Sequence, residues 1–68
     1  MARLLNSAQV VEILLAHGFA FVSQRGSHIK YRDVSGQTVI VPAGRRAIPR
    51  GTLASIMRQS GLPKDLFN

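Results

Sequence analysis

The stretch FAFVSQRGSHIKYRDVSGQTVIVP, residues 19–42, decides the fold of this 68-residue chain. Phe19 to Gln24 is rich in aromatic and aliphatic residues and reads as a strand. Arg25-Gly26 reads as a turn, and Ser27 to Asp33 as a second strand. Asp33-Val34-Ser35-Gly36 is turn chemistry, and Gln37 to Val41 is a third strand ended by Pro42. The connections are too short for parallel crossovers, so the three strands form an antiparallel meander.

A helix lies on each side of this block. Asn6 or Ser7 can cap the first, with Gln9 at the capping-box offset from Asn6. Val10, Val11, Leu14 and Leu15 then recur at helical spacing, Ile13 widens the stripe, and Gly18 can take the left-handed conformation that stops it. After a loop from Ala43 to Arg50, Gly51-Thr52 opens a second helix with Thr52 as its natural cap. Leu53, Ile56 and Met57 share one of its faces, Gly61 and Pro63 end it, and Leu66 and Phe67 form a tail able to pack back. Each helix carries a single apolar stripe, so both are expected on the same face of the sheet. The expectation is an α+β domain in the order α-β-β-β-α, with one face of a three-stranded antiparallel sheet left open. No repeat, linker or low-complexity tract divides the chain, so residues 1–68 are read as one domain.

Composition narrows the partners. The formal net charge is +6, with nine Lys and Arg against Glu12, Asp33 and Asp65, and seven of the nine are arginine. Guanidinium groups pair bidentately with phosphate oxygens. A polyanion is therefore the expected partner, nucleic acid first, an acidic protein second and an anionic membrane third. A chain this short buries only about 60% of the surface its unfolded form exposes. It has no cysteine to supplement that core with a disulfide or a thiolate-bound zinc. Its longest apolar runs, Ile13 to Ala16 and Val39 to Ala43, fall far short of the roughly 20 residues of a membrane span. Met-Ala-Arg-Leu-Leu-Asn at the N-terminus lacks the pattern of a signal peptide, so the expected location is the cytoplasm, with no membrane contact.

Alternation along the second strand sorts its residues by face. Ile29 and Tyr31 point toward the helices, while His28, Lys30 and Arg32 form a cationic row on the open face beside Arg25 and Gly26. An imidazole among fixed positive charges suits a phosphodiester: cations hold the phosphate, and histidine moves a proton near neutral pH. RNA carries its own nucleophile in the 2′-hydroxyl, so proton transfer and charge stabilisation suffice to cleave it. Competing chemistries find no support in the pattern. The three acids are dispersed, two histidines offer no metal-ligand spacing, and Ser27 next to His28 lacks the third group of a hydrolase. Taken alone, His28 is more often a surface histidine than a catalyst, and His17, at a helix end, suits a capping role.

The segment Gly26-Ser27-His28-Ile29-Lys30-Tyr31 resembles the Gly-Ser-His-x-x-Tyr signature of the HicA family of toxin mRNA interferases. His17-Gly18-Phe19 looks like the family's Gly plus aromatic at the end of the first helix, and Arg25 like its basic residue before Gly-Ser-His. Val39-Ile40-Val41-Pro42, Gly51-Thr52-Leu53, Ile56-Met57-Arg58 and Gly61-Leu62 are similar to its downstream pattern, in the same order. The resemblance implies a fold like a double-stranded-RNA-binding domain, and mRNA cleavage through the histidine that matches His28. It also implies neutralisation by a HicB-type antitoxin. Many members carry further histidines where this chain has Ile29 and Ala43-Gly44.

The leading expectation is thus a toxin-type endoribonuclease without metal or small-molecule cofactor. His28 is its acid–base group, and Arg25, Gly26, Ser27, Lys30, Arg32, Arg45 and Arg46 contact the RNA. Two alternatives stand beside it: a non-catalytic RNA-binding module of the same fold, and a basic interaction domain for an acidic protein.

Overall fold

A computed structural model describes residues 4–67. Helix α1 spans Ser7–Ala16, strand β1 Ala20–Arg25, β2 His28–Arg32, β3 Thr38–Pro42, and helix α2 Arg50–Ser60, followed by a 3₁₀ turn at Lys64–Phe67. The expected order of elements and the antiparallel meander are present, with strand order β1-β2-β3.

Local chemistry explains the ends of α1. Asn6 is the cap: its side chain accepts from the Gln9 N–H at 2.8 Å, and the Gln9 side chain accepts from the Asn6 N–H at 2.9 Å. Both otherwise orphaned donors are thereby satisfied. At the other end Gly18 adopts φ +90°, and the Phe19 N–H reaches back to the Leu14 carbonyl at 3.0 Å. This is the six-to-one closure of a Schellman motif, and its hydrophobic contact pairs two core side chains, Leu14 and Phe19. Phe19 thus belongs to the helix stop, and β1 begins one residue later than the sequence suggests.

Other boundaries differ from expectation too: β2 stops at Arg32, one residue short of Asp33, and β3 is shifted by one, from Thr38 to Pro42. The hairpin loop is Gly26-Ser27, with Arg25 still on β1 and Ser27 off β2. Gly26 has φ +58° while Ser27 does not have positive φ, the signature of a type II′ turn with glycine first. Helix α2 starts at Arg50, and Thr52 is not its cap. Pro49 holds the extended conformation before the helix (φ −57°, ψ 147°), and its carbonyl already accepts the Leu53 N–H at 2.9 Å. Proline's fixed φ starts the helix without any side-chain cap.

Both helices pack on the face shared by Ile29, Tyr31, Val39 and Val41, principally over β3. Val10, Leu14, Val39, Val41 and Ile48 are wholly buried there, and Phe67 from the 3₁₀ turn closes one end. Strand β1 lies beyond the helices and is exposed along its whole length.

Candidate functional site: a cationic sheet face

The register of β2 settles which side chains share the open face. His28 pairs with Pro42, Lys30 with Ile40 and Arg32 with Thr38, opposite in sense to the Ile29–Val41 and Tyr31–Val39 pairs, in which Ile29 is half-buried and the other three are buried. The cationic row read from alternation is therefore present, on the side away from the helices.

Strand β1 joins that face only through an irregularity. Phe21 pairs with Tyr31 on the helix side, its ring edge-on to the Tyr31 ring at 6.3 Å between centroids. Simple alternation from Phe21 would then send Ser23 and Arg25 to the helix side as well. A bulge between Phe21 and Ser23 inserts Val22, so that Ser23 pairs with Lys30 and Arg25 with His28. One extra residue reverses the facing of all that follows. The result is a shallow pocket of about 290 Å³ lined by Ser23, Arg25, His28, Lys30 and Ile40.

Three of the residues read from the sequence, Arg25, His28 and Lys30, thus meet in one pocket. Arg32 lies on the same face but further along, its Nε donating to the Thr38 hydroxyl at 3.0 Å. Gly26 and Ser27 form the adjoining turn, and the Ser27 carbonyl accepts from the Ala43 N–H. Arg45 and Arg46 are exposed on the loop that leaves β3 at this same end, after Pro42 opposite His28; they do not line the pocket. Ser23 and Ile40 escaped the sequence reading. Ile40 faces Lys30 by plain alternation and could have been found, whereas Ser23 arrives only through the bulge.

The loop is fixed by the start of α1. Ser7, the other candidate cap, is buried, and its hydroxyl donates to the Pro42 carbonyl at 2.6 Å while accepting from the Arg45 N–H at 2.9 Å. Its own N–H donates to the Arg45 carbonyl at 3.0 Å, and the Ile48 N–H donates to the Leu5 carbonyl at 2.8 Å. Far from the pocket, the His17 ring bonds the Ile13 carbonyl through Nδ1 at 2.8 Å, the capping role expected of it. That carbonyl can only accept, so Nδ1 carries the proton.

A pocket with two fixed cations, an imidazole and a hydroxyl is equipped to hold an anionic oxygen and to move a proton beside it. Among the described residues no group of three His, Cys, Asp or Glu is placed to hold a metal ion. Among the described residues, too, no helix is long and apolar enough to cross a membrane.

The fold and this basic face define a class, small α+β domains resembling the double-stranded-RNA-binding domain. The family model of the HicA toxin of bacterial toxin–antitoxin matches residues 7–62, from the first residue of α1 to just past α2. The chain belongs to the HicA toxin family. No individually curated protein matches it.

Proposed function

We propose that the chain is an endoribonuclease that cleaves mRNA in the cytoplasm, with His28 as its catalytic residue, and that a HicB-type antitoxin neutralises it. The observation that carries the reading is the convergence of His28, Arg25 and Lys30 on one exposed pocket. Membership of a toxin family gives such a basic site a cellular purpose.

In this reading Arg25 and Lys30 bind the non-bridging oxygens of a phosphodiester, and Arg32, Arg45 and Arg46 hold neighbouring phosphates. The turn at Gly26 and Ser27 lets the backbone come close. The 2′-oxygen attacks phosphorus, the O2′–P bond forms and the P–O5′ bond breaks. His28 either removes the proton of the 2′-hydroxyl while water protonates the departing 5′-oxygen, or delivers a proton to that oxygen while water takes the one from the 2′-hydroxyl. The cations offset the charge that builds on the phosphoryl oxygens, a contribution preorganised by the sheet.

The test is cleavage of a single-stranded RNA by purified, chelator-treated protein. General acid–base catalysis contributes about 10²–10⁴-fold, so His28→Ala should lose at least about 100-fold in rate while keeping its fold and RNA affinity. Unchanged cleavage by His28→Ala overturns the catalytic assignment. Binding without cleavage by the wild type at any pH replaces it with an RNA-binding module.

A further inference from the structure

The two edges of the sheet are finished very differently. On β3 the outward N–H of Ile40 is taken by the Gln59 side chain of α2 at 3.1 Å. Pro42 has no N–H to offer, and its carbonyl is taken by Ser7 at 2.6 Å. These are devices that prevent a further strand from adding. Among the described residues, strand β1 has no such closure. It pairs with β2 alone, is exposed throughout, and carries Phe21 at 59% and Val22 at 41% exposure. Alternation of the antiparallel ladder directs the peptide N–H and C=O of Phe21 and Gln24 away from β2. The Ile40–Gln59 bond on the far edge fixes the same parity independently, because Ile40 lies opposite Lys30.

We propose that this free edge is a docking site for an extended, acidic segment of the partner antitoxin, which adds to the sheet as a fourth strand beside β1. Strand addition supplies backbone hydrogen bonds for affinity and places alternate side chains on the two faces. On the helix side the added strand covers Phe21. On the open side its residues stand beside Ser23 and Arg25, at the rim of the pocket. An acidic side chain there pairs with Arg25 and closes the pocket from its edge.

Charge selects this occupant over a second copy of the chain. A copy brings a second body of net charge +6 and a second Arg25 into the same sheet. The three acids that might offset them lie on α1 (Glu12), in the β2–β3 turn (Asp33) and in the 3₁₀ turn (Asp65), none on β1. An acidic strand meets the opposite situation. The inference rests on membership of a toxin–antitoxin family and not on the chemistry assigned to His28, so each stands or falls separately.

The decisive variant is Gln24→Pro. Its N–H points outward, so proline leaves the β1–β2 ladder intact while removing a donor and presenting a ring to any incoming strand. Phe21→Glu acts differently, by repelling an acidic strand. Affinity for the purified cognate antitoxin, measured by titration calorimetry, is expected to fall at least 10-fold for each. His28→Ala, run in parallel, should bind as wild type does. Hydrogen–deuterium exchange on the wild-type pair should show new protection at the Phe21 and Gln24 amides, which decides the matter even if Gln24→Pro folds poorly. Unchanged antitoxin affinity in both variants, or protection confined to α2 and the 43–49 loop, overturns the proposal. A free chain that sediments as a dimer and reverts to monomer in Gln24→Pro overturns it in favour of a second copy.

Discussion

Replacing Ser7 by alanine should weaken both the fold and the grip on RNA, through one buried hydroxyl. The Ser7 hydroxyl makes two bonds, to the Pro42 carbonyl at 2.6 Å and from the Arg45 N–H at 2.9 Å, each spanning more than thirty residues of sequence. A hydrogen bond of this kind nets about 0.5–1.5 kcal/mol, and more when its partner is left buried and unpaired. Pro42 is half-buried while Arg45 is exposed, so water repairs the second loss better than the first. The sum is about 1–2 kcal/mol, against a total stability on the order of 3–10 kcal/mol for a chain of this length. Melting should fall by roughly 4–16 °C. The backbone bond from the Ser7 N–H to the Arg45 carbonyl survives, so the loop loosens without detaching. Asn6→Ala is the matched control. It costs about 1 kcal/mol by removing the cap, but its side-chain bonds stay within α1. Urea unfolding and RNA titration at low salt separate the two. Ser7→Ala should lose about three-fold in RNA affinity beyond Asn6→Ala, because only Ser7 positions the loop of Arg45 and Arg46. A stability change below about 0.5 kcal/mol, or equal RNA affinity in the two variants, refutes the reasoning.

Gly26→Ala should destabilise the hairpin by about 1–2 kcal/mol, since φ is +58° there; an added Cβ meets nothing within 4 Å, so the cost is conformational and shows in urea unfolding. RNA affinity should fall with salt at a log–log slope of about −2 to −3.5 if three to five of Arg25, Lys30, Arg32, Arg45 and Arg46 contact phosphates, and Lys30→Gln should flatten that slope by about 0.7. Burial raises the phenol of Tyr31 above its ordinary 10.0. The folded chain then holds this proton more tightly than the unfolded one, so the contribution is complete below pH 10 and is lost as pH rises through the folded value. Tyr31→Phe should accordingly show a smaller loss of stability between pH 9 and 11 than the wild type, and an equal loss in both would contradict the buried phenol.

The pocket that carries the proposed function depends on residues of unequal legibility. His28, Lys30 and Arg32 were placed on the open face by alternation within five residues, and the β2–β3 register bears this out. Helix α1 was equally plain, since a capping box and a Schellman glycine act over one turn. Its two candidate caps were not separable in the sequence, because both Asn and Ser satisfy that role locally. Thr52 departs from expectation for the same reason: it has the chemistry of a cap, but Pro49 sets the geometry three residues earlier.

What the sequence determined by itself is therefore whatever short-range chemistry decides: the order of elements, the glycine stop of α1 and the cationic row around His28. The tertiary structure decided what depends on partners distant along the chain. It assigned Ser7 to the loop and not to the cap, by offering it Pro42 and Arg45. It sent Ser23 and Arg25 to the pocket, through a bulge that exists only in relation to β2. It left β1 as the free edge, because both helices found their apolar complement over β3. A residue's own type limits which bonds it can make; which of them it does make is settled by what the rest of the fold brings within reach.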